Sequence, residues 1–369
     1  MKLFSFLFIA YLFLFSAGNV AADYSLNVTD IAGRKIQFYE PVKHVICSGP
    51  GCLRLLVYLQ AEDMVAGVDD IEVRRKKYDA RPYALANPQL KEKPVFGGFR
   101  GQDNPERILS LHPPPQVIFK TYPNMGHDGV ELQKKTGIPV VILTDGDLGR
   151  NRTDLYQSLR IMGEVVGRQA RAEEVISFFE AHGKELEKRT AGISEEDRPR
   201  VFVGGVAFKG AQGYQSTEPE YPPFSLINAA NVAGNKGGIG KEIQHTAVAK
   251  EKILQWDPDF LFVDLSSLQL GEQAGGMYEL RTDRAYKSLT AVARGEVYGL
   301  LPYNWYSKNY GSILANAYYI GTLLYLEQFE NVDPKQKADE IYEFLVGAPV
   351  FGHMKRFFND LAFTRISME

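Results

Sequence analysis

A stretch of helical periodicity between two series of short apolar runs limits this chain's folding options more than any other feature. From Asp154, the positions Leu155, Leu159, Met162 and Val166 recur at helical spacing; Gly167 interrupts, and Ala172, Val175, Ile176, Phe179 and Leu186 resume the pattern. The resumed segment, 170 to 190, predicts a helix about 30 Å long at 1.5 Å per residue, enough to cross between two lobes. Ala191-Gly192 and the charged stretch from Ser194 to Arg200 end it. Before it, Val45-Ile46, Met64 to Val68, Val117-Ile118-Phe119 and Val140 to Leu143 read as buried parallel strands. The helix Cys52 to Gln60 and another opening at Asn104-Pro105-Glu106 alternate with them. After it, Val201-Phe202-Val203, Leu261-Phe262-Val263 and Val297 to Leu300 begin a second series. The expected fold class is α/β: two α/β lobes with mainly parallel sheets, joined by a long interlobe helix, with a cleft between them. The expected boundaries are 23–153 for the first lobe, 154–192 for the connector and 193–369 for the second lobe.

With 369 residues, 45% hydrophobic and 24% charged, the chain can build two cores and is neither disordered nor fibrous. Residues 1–22 carry one charge, Lys2, then the apolar run Leu3 to Phe15 and the small-residue end Val20-Ala21-Ala22. This reads as a cleaved secretory signal. No later stretch reaches the roughly 18 apolar residues of a membrane span. No cysteine lies near the cleavage point, so a free periplasmic protein is expected rather than a lipid-anchored one. Without Lys2 the 42 basic residues become 41 against 45 acidic ones, a formal net charge of −4. No overall field favours nucleic acid or an anionic membrane. The two cysteines, Cys47 and Cys52, leave two readings: a small disulfide loop in an oxidising compartment, or two buried small hydrophobes.

Searches for catalytic motifs fail. Gly204 to Gly210 and Gly234 to Lys241 both lack phosphate-loop spacing, and the six histidines (His44, His112, His127, His182, His245, His353) are scattered singly. No Gly-x-Ser-x-Gly, His-Glu-x-x-His or paired Cys-x-x-Cys occurs. Asp145 and Asp147 present two carboxylates, yet Asp and Gly are ordinary loop residues there.

Several segments carry a resemblance. Ile31 to Phe38, Pro41-Val42, Leu59 to Val68, Asn104 to Leu111, Gln116 to Phe119, Gly137 to Leu143, Arg160 to Arg168, Glu251 to Val263 and Leu289 to Pro302 occur in an order and spacing similar to those of the periplasmic binding proteins for iron-siderophore, haem and cobalamin uptake. The resemblance covers nearly the whole mature chain. It implies a two-lobed, non-enzymatic trap, a monomer, that captures a small-molecule metal chelate and delivers it to an ABC permease and ATPase complex. The chelate would be an iron-siderophore complex foremost, with cobalamin, haem, another metal complex or an oxyanion as alternatives. No cofactor of the protein's own is implied, because a chelate arrives with its metal already held. Where many members carry a glutamate on the first helix to dock a permease arginine, Arg54 stands here.

In open α/β sheets ligands lie beyond the carboxyl ends of the strands. The loops there hold Ser48, Phe99, Arg100, Lys120 and Tyr122 in the first lobe, and Lys209, Tyr214, Tyr303, Trp305 and Tyr306 in the second. Phe208, Lys308 and Tyr310 accompany them. Aromatic faces with cations suit a multi-ring, negatively charged ligand. The competing reading packs Tyr303 to Tyr310 into the lobe edge and leaves Arg100 and Lys120 as solvated loop charges. A second functional class, a secreted α/β enzyme acting on a metal chelate, would use Asp145, Asp147 or Glu218 with a histidine.

Overall fold

The computed structural model describes residues 24–74, 77–234 and 245–369. The expected signal segment and residues 235–241 of the glycine-rich stretch lie outside them.

An antiparallel hairpin, β1 (Leu26–Thr29) and β2 (Lys35–Phe38), precedes the first sheet. That sheet comprises β3 (Val45–Ser48), β4 (Val65–Asp69), β5 (Val95–Gly98), β6 (Gln102–Asp103), β7 (Val117–Lys120) and β8 (Val140–Ile142), in the order β6-β5-β4-β3-β7-β8. Every neighbouring pair is parallel except β5 with β6. The apolar runs are continuous because both faces are covered. Val45, Cys47, Val117 and Phe119 point into the main core, while Ile46, Ile118, Val140 and Ile142 join a smaller cluster with Phe96, Ile108, Leu111 and Leu132 on the opposite face.

Between these strands lie α1 (Cys52–Tyr58), α2 (Asp70–Val73), α3 (Pro82–Ala86), α4 (Pro105–Leu109) and α5 (Gly129–Thr136). The expected start of α4 is realised: the Asn104 side chain accepts the Arg107 amide at 2.9 Å, and Pro105 occupies the first turn. Both cysteines are free thiols in the core, and Cys52 directs its sulfur at the carbonyl of Phe119, 3.4 Å away. The disulfide alternative is therefore corrected to the buried-hydrophobe one.

The helices α6 (Arg152–Val165) and α7 (Gln169–Thr190) follow the first sheet. The buried face of α7 includes Ala172, Val175, Ile176, Phe179 and Leu186, the periodic positions of the sequence. At one end Arg171 donates to the carbonyl of Tyr58 at 3.0 Å; at the other, Thr190 accepts from Asn228 at 3.0 Å. The helix thus touches both lobes.

The second sheet, all parallel, orders β11 (Ala230–Asn231), β9 (Arg200–Gly204), β13 (Phe260–Asp264) and β14 (Val297–Leu300) side by side. A short antiparallel ladder, β10 (Ser216–Thr217) with β12 (Thr246–Ala247), stands beside it. Helices α8 (Pro222–Leu226), α9 (Lys250–Trp256), α10 (Gly275–Thr282), α11 (Thr290–Arg294), α12 (Tyr310–Leu324), α13 (Pro334–Val346) and α14 (Phe351–Phe357) complete the lobe. The chain's end does not stay within it: α13 packs on α12 but also on α1 and α3 of the first lobe. Among the described residues no helix is long and apolar enough to cross a membrane.

Candidate functional site

The loops beyond the carboxyl ends of the two sheets face one another and enclose a cavity of about 1480 Å³. Tyr122 after β7 and Asp147 to Asn151 after β8 supply the first-lobe side. Phe208 after β9, Glu218 to Tyr221 after β10, and Tyr303, Asn304, Ser307 and Lys308 after β14 supply the second-lobe side. The cavity continues along the edge strand β11 as far as Arg200 and Asp259, at the entrances of β9 and β13.

Its polar groups are held in place by their neighbours. Glu218 is buried and accepts the hydroxyl of Tyr303. Burial pushes its carboxyl up to about 8, and Asp264 behind it adds to the shift. Burial raises Asp264 itself to about 7, against the pull of the Ser266 amide donating at 2.9 Å. Neither carboxylate has a cation within ion-pairing distance among the described residues. The Tyr122 hydroxyl donates to Asp145 at 2.7 Å, and the Lys308 ammonium donates to the Gly146 carbonyl at 2.6 Å. His245 stacks on Phe208 and shares a 2.7 Å hydrogen bond with Ser216 through Nε2; burial lowers its pKa. Arg150 and Glu220, both in the cavity lining, pair at 2.6 Å with side chains 66% and 38% exposed, so the pair contributes little stability. Among the described residues no group of three or more His, Cys, Asp or Glu side chains converges to hold a metal.

Residues 45–303 match the family model described as Periplasmic binding protein. The chain belongs to the periplasmic binding protein family. A Bacillus subtilis protein named as an uncharacterized ABC transporter substrate-binding lipoprotein, YvrC, is 18% identical over 180 residues; the match spans 49% of this chain and about half, 52%, of that relative. Among solved structures, the molybdate periplasmic binding protein MolA of Haemophilus influenzae, bound to molybdate, superposes with a TM-score of 0.67 at 19% identity, covering 88% of this chain and 98% of its own. A periplasmic solute binding protein of Veillonella parvula gives 0.67 at 16% identity, covering 92% and 97%. At those identities the likeness is one of fold: the two-lobed architecture of the periplasmic binding proteins.

Within this binding protein, the ten residues expected at the site divide sharply. Tyr122 and Tyr303 line the cavity. Ser48 and Lys120 are fully buried beneath it: the ammonium of Lys120 pairs with Asp103 at 2.8 Å and donates to Ser48 Oγ at 3.1 Å. Lys120 is thus no solvated or ligand-facing cation, because a buried charge requires a partner and has one. Phe99 and Arg100 lie outside the cavity lining, and the guanidinium groups of Arg74 and Arg100 lie 4.6 and 5.3 Å from the Phe99 ring centre. Lys209 is exposed with its ammonium over the Phe208 ring.

Tyr214 is a core residue, ringed by Phe202 and Tyr286. The anticipated aromatic wall is mostly packing. Trp305 is 6% exposed and meets Phe358 edge-on, Tyr306 turns to Asp69 of the first lobe, and Tyr310 packs on Tyr58 and Phe179. Sequence reasoning missed Arg150 and the cavity's extension to Arg200 and Asp259. Arg54 is buried inside α1, so no docking charge is presented at that position.

Proposed function

We propose that this chain is the solute-capturing component of an ABC importer, acting outside the cytoplasmic membrane as a monomer once residues 1–22 are removed. Its ligand is a metal chelate carried with its own metal, an iron-siderophore complex foremost, which it binds and releases unchanged to a permease and ATPase complex. The observation that carries the reading is the cavity: about 1480 Å³, above the range of pockets for drug-sized ligands, with the exposed rings of Tyr122 and Phe208 on its walls. A bare tetrahedral oxyanion such as the molybdate of MolA would fill a small part of it and leave the aromatic surface without a partner. Both signs of charge at the wall, Arg150 and Lys308 against Asp147 and Glu220, suit a polar chelate rather than a lipid.

Native mass spectrometry with metal analysis of protein isolated from its own cell envelope tests this directly. A co-purifying, unaltered chelate at one per chain is the expected result. Exclusive retention of molybdate in titrations against an iron(III) trishydroxamate, an iron(III) triscatecholate, haem and cobalamin would overturn it, as would chemical conversion of the ligand.

A further inference from the structure

After β14 the chain does not turn straight into α12. Residues 303–309 run across the cleft as a strap, attached to both lobes. On the second-lobe side, Asn304 donates to the Ala207 carbonyl at 2.9 Å and Tyr303 donates to Glu218. On the first-lobe side the central attachment is Arg54. Its guanidinium, 1% exposed, donates to the carbonyls of Lys308 at 2.6 Å, Tyr306 at 2.9 Å and Trp305 at 3.2 Å. A planar cation with five donors is the side chain able to hold three carbonyls of one loop together.

The surrounding contacts point the same way. Tyr306 donates to Asp69 and accepts the Arg100 amide at 3.1 Å; Ser307 donates to Asp145; Lys308 donates to the Gly146 carbonyl at 2.6 Å. Ser307 also packs on Gly51, where an added Cβ would come within 3.3 Å. Tyr306 and Ser307 occupy left-handed backbone conformations, φ 51° and 68°, which non-glycine residues hold only where the surroundings impose them. Four residues of the strap, Tyr303, Asn304, Ser307 and Lys308, line the cavity.

We propose that Arg54 is the positioning residue of the ligand cavity: it clasps the 303–309 strap to the first lobe, and so sets the shape of the wall that the second lobe presents across the cleft. Separation of the lobes then requires the Arg54 contacts to break. The clasp itself does not depend on which solute is bound; only its effect on affinity rests on the chelate reading.

Trp305 sits within the clasp and Trp256 is the only other tryptophan, so a Trp256→Phe background makes tryptophan emission a reporter of the strap. In that background Arg54→Met and Arg54→Lys are compared with the parent by emission maximum, acrylamide quenching, circular dichroism and melting. The expected result is a red shift and at least twofold stronger quenching in Arg54→Met with the fold retained. Arg54→Lys, whose ammonium cannot span three carbonyls, should fall between. A folded variant of either kind whose Trp305 emission and quenching equal the parent's overturns the proposal, since a residue that only adds stability leaves the folded-state signal unmoved.

Hydrogen exchange on the unaltered protein decides even if both variants fail to fold. The amides of Trp305 and Asn309, bonded to the Ser307 and Tyr303 carbonyls, should be protected as strongly as α1; exchange at the rate of an open loop overturns the clasp. An iron(III) trishydroxamate serves as the ligand probe, its dissociation expected to quicken at least tenfold in Arg54→Met. Failure of the parent to bind that probe bears on the chelate reading alone, because the emission and exchange results stand without it.

Discussion

Phe208 and His245 lie face to face at the cavity wall, ring centroids 4.2 Å apart and planes 10° apart. The imidazole is fixed by its 2.7 Å hydrogen bond to Ser216, so it presents Phe208 as a rigid platform, and Phe208 remains 42% exposed. A platform of this kind contributes through stacking, worth about 0.5–1.5 kcal/mol for an aromatic pair. Phe208→Ala should therefore weaken binding of a ringed chelate by roughly 3- to 10-fold in calorimetric titration. Its melting temperature should stay close to the parent's, because so exposed a side chain adds little to the core. Equal affinity in the variant would assign Phe208 to the solvated surface.

Lys120 and Asp103 form an ion pair with both side chains fully buried. Removing one partner strands the other charge out of water, which costs about 3–5 kcal/mol, whereas replacing both with apolar groups of similar volume is nearly neutral. Lys120→Met should accordingly lose about that much stability in urea denaturation, and Lys120→Met with Asp103→Leu should recover most of it. Chelate affinity of the folded double variant should be unchanged, because neither residue reaches the cavity lining. A tenfold affinity loss would return Lys120 to the binding site.

Trp305 is edge-on to Phe358 at 5.9 Å and buried, and its ring is not part of the cavity wall. Trp305→Ala should behave as a large-to-small core change, costing about 3–5 kcal/mol in chemical denaturation. A variant of parental stability would contradict that packing.

The strands and the long helix α7 were legible because their signals are local. A four-residue apolar run buried on both faces needs no distant partner to be read, and α7 buries the positions its periodicity marks. The aromatic run Tyr303 to Tyr310 was not legible in the same way. Ring-bearing residues after a strand suit a ligand and a core equally, and the choice was made by Asp69, Asp145 and Arg54, each more than 150 residues away in sequence. Arg54 did carry a local sign: it is the one charge in a seven-residue helix whose every other member is apolar or aromatic, and all seven are buried. The return of α13 to the first lobe was hidden, since an amphipathic helix does not say which surface will cover it.

The buried carboxyls make stability run against the usual pH trend. Desolvation raises Asp69 from 3.8 to about 7, Glu218 from 4.5 to about 8 and Asp264 from 3.8 to about 7. A carboxyl whose folded-state pKa lies above its unfolded one is protonated in the folded chain while still ionised in the unfolded chain. The folded state then binds more protons, and stability falls as pH rises through the folded pKa values. His182 acts oppositely: burial lowers it from 6.5 to about 4, so its contribution is lost only as pH falls below about 6.5. The informative window is therefore about pH 6.5 to 8, above the histidine's range and across the carboxyls'. Calorimetric melting should give a midpoint several degrees higher at the acidic end of that window than at the basic end. Glu218→Gln keeps an oxygen to accept from Tyr303 and removes the titration, so it should raise the midpoint at pH 8 and flatten the slope. A midpoint that rises with pH through this window would mean that these carboxyls are ionised in the folded protein, held by a cation or by water reaching them through the cavity.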